Sequence, residues 1–130
     1  MKILVTGATG LVGQGVVKAC LASAAVERLA VLVRKGGDAP AGVEEIVLAD
    51  FERAADIASL LGGFDACFYC AGAPPVGTPE PEYRKVTLDA TVAVARAWAG
   101  ANPEGRFLYV SGAYADPDSH MMPLRIKGET

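Results

Sequence analysis

Short runs of apolar, often β-branched residues alternate along the chain with longer alanine-rich stretches. The apolar runs are nearly continuous, without regular polar positions, which is typical of strands buried on both faces. The alanine-rich stretches repeat apolar positions at helical spacing and therefore predict helices. Strands are predicted at 2–6, 29–33, 46–49, 65–70 and 106–111, and helices at 11–23, 54–61, 82–100 and from Pro123 onward.

The order of these segments determines the expected fold. Strand and helix alternate, which predicts the α/β class: a Rossmann-type doubly wound parallel sheet in three α/β/α layers. The 130 residues fit one domain over 1–130. The last predicted helix has only begun where the sequence stops, so we expect a truncated piece of a longer chain. The predicted sheet-facing positions are Val12, Val16, Ala19 and Cys20 on the first helix and Val86, Ala90, Ala93, Val94 and Ala97 on the long one.

Composition and charge narrow the function classes. The formal net charge is −3 and no basic stripe is visible, so we expect no binding to nucleic acid or to an anionic membrane surface. Gly7 interrupts the N-terminal apolar run too early for a signal peptide. Three cysteines, an odd number, fit a reducing compartment, and we expect a cytoplasmic location. Cys67 and Cys70 would face opposite sides of a strand, which favours buried thiols over a metal or disulfide pair.

A glycine-rich turn joins the first predicted strand to the first predicted helix. Gly7 permits a tight turn, Gly10 lets the backbone approach a pyrophosphate, and Gly13 allows the helix to pack closely on the sheet. Free N–H groups at the helix start would then hold phosphate charge. The alternative is a merely structural turn, but the strand–turn–helix context favours phosphate binding. The predicted phosphate-binding residues are Gly7, Ala8, Thr9, Gly10, Leu11, Val12 and Gly13.

Arg34 follows the second predicted strand, where an acidic residue would hold the ribose 2′-hydroxyl of NAD. A guanidinium suits a 2′-phosphate instead, because its fork donates two charge-assisted hydrogen bonds. Lys35 adds positive charge. These residues predict a preference for NADP(H) over NAD(H), and the alternative is that Arg34 is only a solvent-exposed side chain.

Further candidates follow the third and fourth predicted strands, at the sheet edge where ligands bind in such folds. Asp50 can accept a hydrogen bond from the adenine amino group, with Phe51 beside the ring; the alternative is that Asp50 caps the helix expected from Ala54. The small residues Ala71, Gly72 and Ala73 would let the backbone pass close to the cofactor's ribose and nicotinamide half.

Taken together, these residues resemble the short-chain dehydrogenase/reductase superfamily, in its extended and atypical, NAD(P)-dependent epimerase/dehydratase-like branch, and are similar to the Tat-interacting protein branch. The resemblance implies a dinucleotide-binding fold and a longer chain that continues well beyond Lys127. It also implies a possible homodimer through the long helix and the helix at Pro123. The matching segments occur in family order at 6–13, 34, 50, 69–72, 83–86, 108–111 and 125–129.

The resemblance implies three catalytic roles. Ser111 matches the serine that orients the substrate carbonyl, and Lys127 matches the lysine that binds the nicotinamide ribose. The tyrosine that transfers the proton would stand four residues before the lysine, and Pro123 occupies that position. Proline has no ionisable group. Tyr114 is a candidate to replace the phenol, with an ordinary surface tyrosine as the alternative.

Two functions are consistent with these residues. The first is an NADP(H)-dependent reductase or epimerase-like enzyme that acts on a carbonyl or sugar-nucleotide-like substrate. The second is a catalytically impaired dinucleotide-binding sensor or protein-interaction scaffold, which the proline at position 123 favours.

Overall fold

The computed structural model describes all residues, 1–130, and its strands form one five-stranded sheet. The strands are β1 (Lys2–Thr6), β2 (Arg28–Val33), β3 (Glu44–Val47), β4 (Ala66–Tyr69) and β5 (Arg106–Tyr109). Their order is β3-β2-β1-β4-β5 and every neighbouring pair is parallel. The order reverses between β1 and β4, so the predicted doubly wound sheet is confirmed.

Helical segments cover the sheet and connect its strands, except β2 and β3, which are joined by a loop. The regular helices are α1 (Leu11–Ala22), α2 (Glu80–Arg84), α3 (Ala90–Ala101) and α4 (Met122–Glu129). A 3₁₀ segment covers Phe51–Leu60, and a π-helical segment, Lys85–Asp89, joins α2 to α3. None of these helices is both long and apolar enough to cross a membrane.

The sheet separates two clusters of buried apolar side chains. One cluster lies beneath α3 and the 3₁₀ segment and includes Trp98, which is 1% exposed. The other lies beneath α1 and includes Val17. Neighbouring residues of β1 belong to opposite clusters, Leu4 to the first and Val5 to the second. This burial on both faces explains why the central strands β1 and β2 have no polar alternation.

The sheet-facing side of α1 differs from the prediction. Gly13, Val17 and Cys20 are buried, whereas Val12 is 49% exposed and Ala19 also faces solvent. Gly13 must lie against the glycine turn, and this contact sets the rotation of the helix. Positions 13, 17 and 20 then face inward at helical spacing. Of the four predicted positions, Cys20 is buried and Val16 is half-buried.

The long helix also departs from its predicted face and start. It begins at Glu80 rather than position 82, because Pro81 is accommodated in the first turn, where its missing N–H is not needed. Its last regular part ends at Ala101. The residues buried along it are Tyr83, Thr87, Ala90, Thr91, Val94 and Trp98. The predicted inward positions Val86, Ala93 and Ala97 are only half-buried.

Strand boundaries differ from the prediction by up to two residues. β3 begins at Glu44, two residues early, because it pairs with Ala30 at the start of a four-residue ladder with β2. β4 and β5 end at Tyr69 and Tyr109, where the chain leaves the ladder for the loops at the carboxyl edge. The predicted apolar runs therefore include short flanking segments outside the sheet.

Asn102 connects α3 to the segment before β4. Its amide oxygen accepts from the Phe64 N–H at 2.8 Å, and its amide nitrogen donates to the carbonyls of Leu61 at 2.7 Å and Trp98 at 2.9 Å. Asn102→Ala would leave buried polar groups unpaired, so we expect a loss of about 2 kcal/mol in the free energy of unfolding. Urea denaturation checks this, with the exposed Glu104→Ala as a control that should change stability by less than about 0.5 kcal/mol.

Candidate dinucleotide-binding site

A cleft of about 1490 Å³ lies at the carboxyl ends of β1, β2, β3 and β4. Open α/β sheets bind ligands at this edge, beside the point where the strand order reverses. Most of the residues predicted to bind the cofactor line this cleft. They are Gly7, Ala8, Thr9, Gly10, Leu11, Arg34, Asp50, Phe51, Ala71, Gly72 and Ala73.

The three glycines of the turn have different surroundings. Gly7 has a φ of +68°, and a Cβ atom there would lie 2.5 Å from the backbone nitrogen of Ala71. A Cβ atom on Gly13 would overlap the carbonyl oxygen of Gly7 and lie 2.6 Å from its carbonyl carbon. A Cβ atom on Gly10 would be 3.4 Å from the Gly7 oxygen and otherwise unobstructed. Gly7 and Gly13 are therefore required for packing, whereas Gly10 keeps space open beside the turn.

The start of α1 has backbone donors without partners. Gly10 occupies the N-cap position and no side chain caps the helix. The N–H groups of Leu11, Val12 and Gly13 have no acceptor within the chain. Such groups, together with the helix dipole, attract an anion. Val12 and Gly13 do not line the cleft, so their predicted role would be carried by their backbone N–H groups.

Thr6 is a site residue that the sequence analysis did not single out. It is fully buried, and its hydroxyl accepts from the N–H groups of Cys70 at 3.2 Å and Ala71 at 3.3 Å. This contact joins the ends of β1 and β4 and fixes the start of the 71–73 segment beside Gly7. A threonine directly before a glycine-rich turn was the available signal.

Arg34 and Lys35 lie where β2 ends, and both are exposed and line the cleft. Neither side chain forms an ion pair within the chain. Their positive charge is therefore not compensated by a neighbouring carboxylate, and it can act on an anionic ligand.

Asp50 caps the 3₁₀ segment, which is one of the two roles predicted for it from the sequence. Its carboxylate accepts from the Glu52 N–H at 3.0 Å. The helical segment consequently begins at Phe51 rather than Ala54, because the cap lies directly before it. Asp50 also lines the cleft and keeps its other carboxylate oxygen free of protein hydrogen bonds, so its predicted adenine contact stays a prediction.

An ion pair links two elements that border the cleft. Lys85, at the start of the π-helical segment, lies 3.3 Å from a carboxylate oxygen of Glu52 on the 3₁₀ segment. Both residues line the cleft. The pair connects the element after β3 with the element after β4, and the sequence pattern did not indicate it.

The predicted catalytic residues lie beyond the lining of this cleft. Ser111 is exposed, two residues after β5. Lys127 lies on α4, and its ammonium would be 3.5 Å from a Cβ atom placed on Gly112. The structure thus brings Lys127 next to the segment that carries Ser111. Tyr114 is 88% exposed and has a φ of +63°, which is strained for a residue other than glycine.

Pro123 lies in the first turn of α4, one turn before Lys127. This helix is held from two sides. Its Gly128 packs so closely on Asp116 and Pro117 that a Cβ atom would overlap their backbone. Two ion pairs join it to α2: Arg125 with Glu80, and Arg84 with Glu129 at 2.6 Å.

Burial changes the ionisation of the polar groups near β4. Burial raises the pKa of the Cys67 thiol to about 12 and that of Tyr69 to about 12, and it also raises the pKa of Cys70. These groups stay protonated near neutral pH, so the thiols are weak nucleophiles there. All three cysteines, including Cys20, are free thiols.

Comparison with known proteins agrees with this geometry. A family model described as NAD(P)H-binding matches residues 7–127. Leucinostatins biosynthesis cluster protein T of Purpureocillium lilacinum is 31% identical over 115 residues, which are 85% of this chain and 42% of that protein.

Two solved structures show the same fold at low sequence identity. Uronate dehydrogenase from Agrobacterium tumefaciens has a TM-score of 0.72 and 21% identity, covering 97% of this chain and 51% of the other. UDP-glucuronic acid 4-epimerase from Bacillus cereus, in complex with NAD, has a TM-score of 0.73 and 21% identity, covering 99% and 50%. The chain therefore spans about half the length of these structures.

The sheet order and the glycine turn at its carboxyl edge define a Rossmann-type dinucleotide-binding domain. The chain belongs to the NAD(P)H-binding family, and its fold is the one found in the uronate dehydrogenase and the UDP-glucuronic acid 4-epimerase, as the resemblance implied. The turn also fits the cofactor chemically, because the unpartnered N–H groups at the start of α1 and the open space at Gly10 suit a pyrophosphate.

Proposed function

We propose that the chain binds NADP(H) in preference to NAD(H) and serves an epimerase/reductase-like enzyme acting on a carbonyl or sugar-nucleotide-like substrate. The observation that carries this proposal is the uncompensated charge of Arg34 at the end of β2, with Lys35 beside it. NADP(H) carries a 2′-phosphate dianion that would use this charge, whereas NAD(H) has a neutral 2′-hydroxyl at the same position.

Each residue of the site would have a separate role in binding or catalysis. The turn from Gly7 to Gly13 would hold the pyrophosphate, and Lys127 the nicotinamide ribose. Ser111 would donate a hydrogen bond to the substrate carbonyl and orient it. Tyr114, three residues after Ser111 and in a strained conformation, would exchange the proton in place of a tyrosine at position 123. Bound in the cleft, the cofactor would supply the redox chemistry.

The relatives support the carbonyl and sugar chemistry. One is a uronate dehydrogenase, and the other is an epimerase of UDP-glucuronic acid in complex with NAD. Both act on oxidised sugars, one of them carried on a nucleotide. The class proposed for this chain, a carbonyl or sugar-nucleotide-like substrate, includes the substrates that these two names give.

The first experiment is calorimetric titration of the chain with NADPH and, separately, NADH. Because hydrogen bonds to charged groups contribute about 1.5–3 kcal/mol, we expect NADPH to bind at least about tenfold more tightly. Equal affinity for the two cofactors would contradict the proposed preference. Binding of neither would contradict the proposed site in this chain.

Ser111→Ala tests the enzymatic role. Losing one orienting hydrogen bond is expected to lower NADPH-dependent turnover about tenfold in a panel of aldehydes, ketones and UDP-sugars. Ser59→Ala, at an exposed serine on the 3₁₀ segment, is the matched control and should leave turnover unchanged. An unchanged rate in Ser111→Ala would remove this residue from the mechanism.

Pro123 favours a second candidate, a dinucleotide-binding sensor or scaffold, because general acid–base catalysis contributes about 10²–10⁴ in rate and proline cannot supply it. Turnover of the wild-type chain favours the enzyme. Absence of turnover in the wild type, with activity appearing in Pro123→Tyr, would favour the sensor. The sensor also requires that NADPH raise the melting temperature or alter a protein interaction.

A further inference from the structure

The loop after β2 folds back over the edge strand β3. The last residue of β2, Val33, pairs with Val47, and the chain then reverses at Gly36 and Gly37. Gly37 has a φ of +111°, which favours glycine, and a Cβ atom on Gly36 would lie 3.1 Å from the Val47 side chain. Arg34 and its neighbour Lys35 lie between the strand and this reversal. The position of the reversal therefore determines the backbone position from which their side chains extend.

Glu45 holds this reversal. The Gly37 N–H donates to both of its carboxylate oxygens, at 3.1 and 2.9 Å, and one of these oxygens would lie 3.3 Å from a Cβ atom on Gly36. The carboxylate forms no ion pair, although the cationic side chains of Arg34 and Lys35 belong to the same loop. Glu45 thus binds the backbone and leaves those cations free.

We propose that Glu45 is a positioning residue for recognition of the 2′-phosphate. It fixes the loop that presents Arg34 and Lys35 to the cleft, which Glu45 itself lines. This inference rests on the proposed preference for NADP(H), and it assigns part of that preference to a residue that does not carry positive charge.

The same carboxylate has an opposing electrostatic effect, because a negative charge lining the cleft repels a phosphate. Two substitutions of Glu45 distinguish its effect on the loop from its repulsion of the phosphate. Glu45→Ala removes both the charge and the acceptor for the Gly37 N–H. Glu45→Gln removes the charge and keeps an amide oxygen that can accept the same hydrogen bond.

The test is calorimetric titration of the wild type and both variants with NADPH and NADH. We expect Glu45→Ala to weaken NADPH binding about tenfold, because a fixed loop is replaced by a mobile one, and to change NADH binding less than about twofold. Glu45→Gln should bind NADPH at least as tightly as the wild type. Glu104→Ala, at an exposed glutamate outside the cleft that forms no ion pair, is the control and should alter neither affinity.

The outcomes distinguish the two proposals. A wild type without preference for NADPH overturns the proposed function. If the wild type prefers NADPH but Glu45→Ala weakens the binding of both cofactors equally, or of neither, only the positioning role is overturned. The positioning role is also overturned if Glu45→Gln weakens NADPH binding as much as Glu45→Ala does, because the hydrogen bond to Gly37 would then be irrelevant.

Discussion

Alanine at Gly13 is expected to destabilise the chain by about 4 kcal/mol or more and to abolish cofactor binding. The added Cβ atom would overlap the carbonyl oxygen of Gly7 and lie 2.6 Å from its carbonyl carbon. Both are backbone atoms of a turn whose own position is fixed against Ala71, so they cannot move aside cheaply. Overpacking typically costs about 1–3 kcal/mol and more where the neighbours are rigid, in a domain whose stability is about 5–15 kcal/mol.

Gly15→Ala is the matched control for this prediction. Gly15 lies on the same helix, is exposed, and an added Cβ atom would have no neighbour within 4 Å. Alanine there should raise stability by about 0.5–1 kcal/mol, because it is the better helix former. Urea denaturation measures both variants. A Gly13→Ala variant as stable as the wild type would show that α1 does not pack on the turn as described.

Arg34→Glu is expected to weaken NADPH binding about 100-fold while leaving NADH binding unchanged or stronger. The substitution removes a charge-assisted pair worth about 1.5–3 kcal/mol and adds repulsion between a carboxylate and the 2′-phosphate. NADH has a hydroxyl at that position, and a carboxylate can accept a hydrogen bond from it. Calorimetric titration with both cofactors measures the change.

The control for Arg34→Glu is Arg96→Glu, which makes the same change of charge at an exposed position of α3 outside the cleft. It should change both affinities less than about twofold, since exposed charges farther apart than the Debye length are screened. If the two variants lose NADPH affinity equally, net charge rather than a 2′-phosphate site explains the effect.

The fold was largely predictable because strands buried on both faces appear in the sequence as nearly continuous apolar runs. Each apolar run corresponds to a strand of the parallel sheet. What could not be read from the sequence was the rotation of each helix and the end of each strand. The inward face of α1 depends on the contact of Gly13 with Gly7, and the start of β3 depends on its pairing with β2. Both are set by partners in other segments.

The candidate site was predictable for a related reason. Residues at the carboxyl ends of the strands, such as Arg34 and Asp50, line the cleft as expected. Thr6 and Glu45 were missed because each acts by accepting hydrogen bonds from backbone N–H groups, Thr6 across 64 residues and Glu45 across eight. The partner of Glu45 has no signature in residue type or spacing, and for Thr6 the only signal was its place directly before the glycine-rich turn. The catalytic roles of Ser111 and Lys127 stay predictions based on resemblance.

The contacts that hold α4, the helix that carries Lys127, differ in kind from the contacts that hold the glycine turn. Only Ile126 of α4 is buried, and the two ion pairs with α2 involve side chains that are 28–49% exposed. Such pairs weaken as ionic strength rises, whereas the uncharged backbone contacts of the turn do not. We therefore expect concentrated salt to weaken the attachment of α4 to α2, while the contacts of the glycine turn stay unchanged.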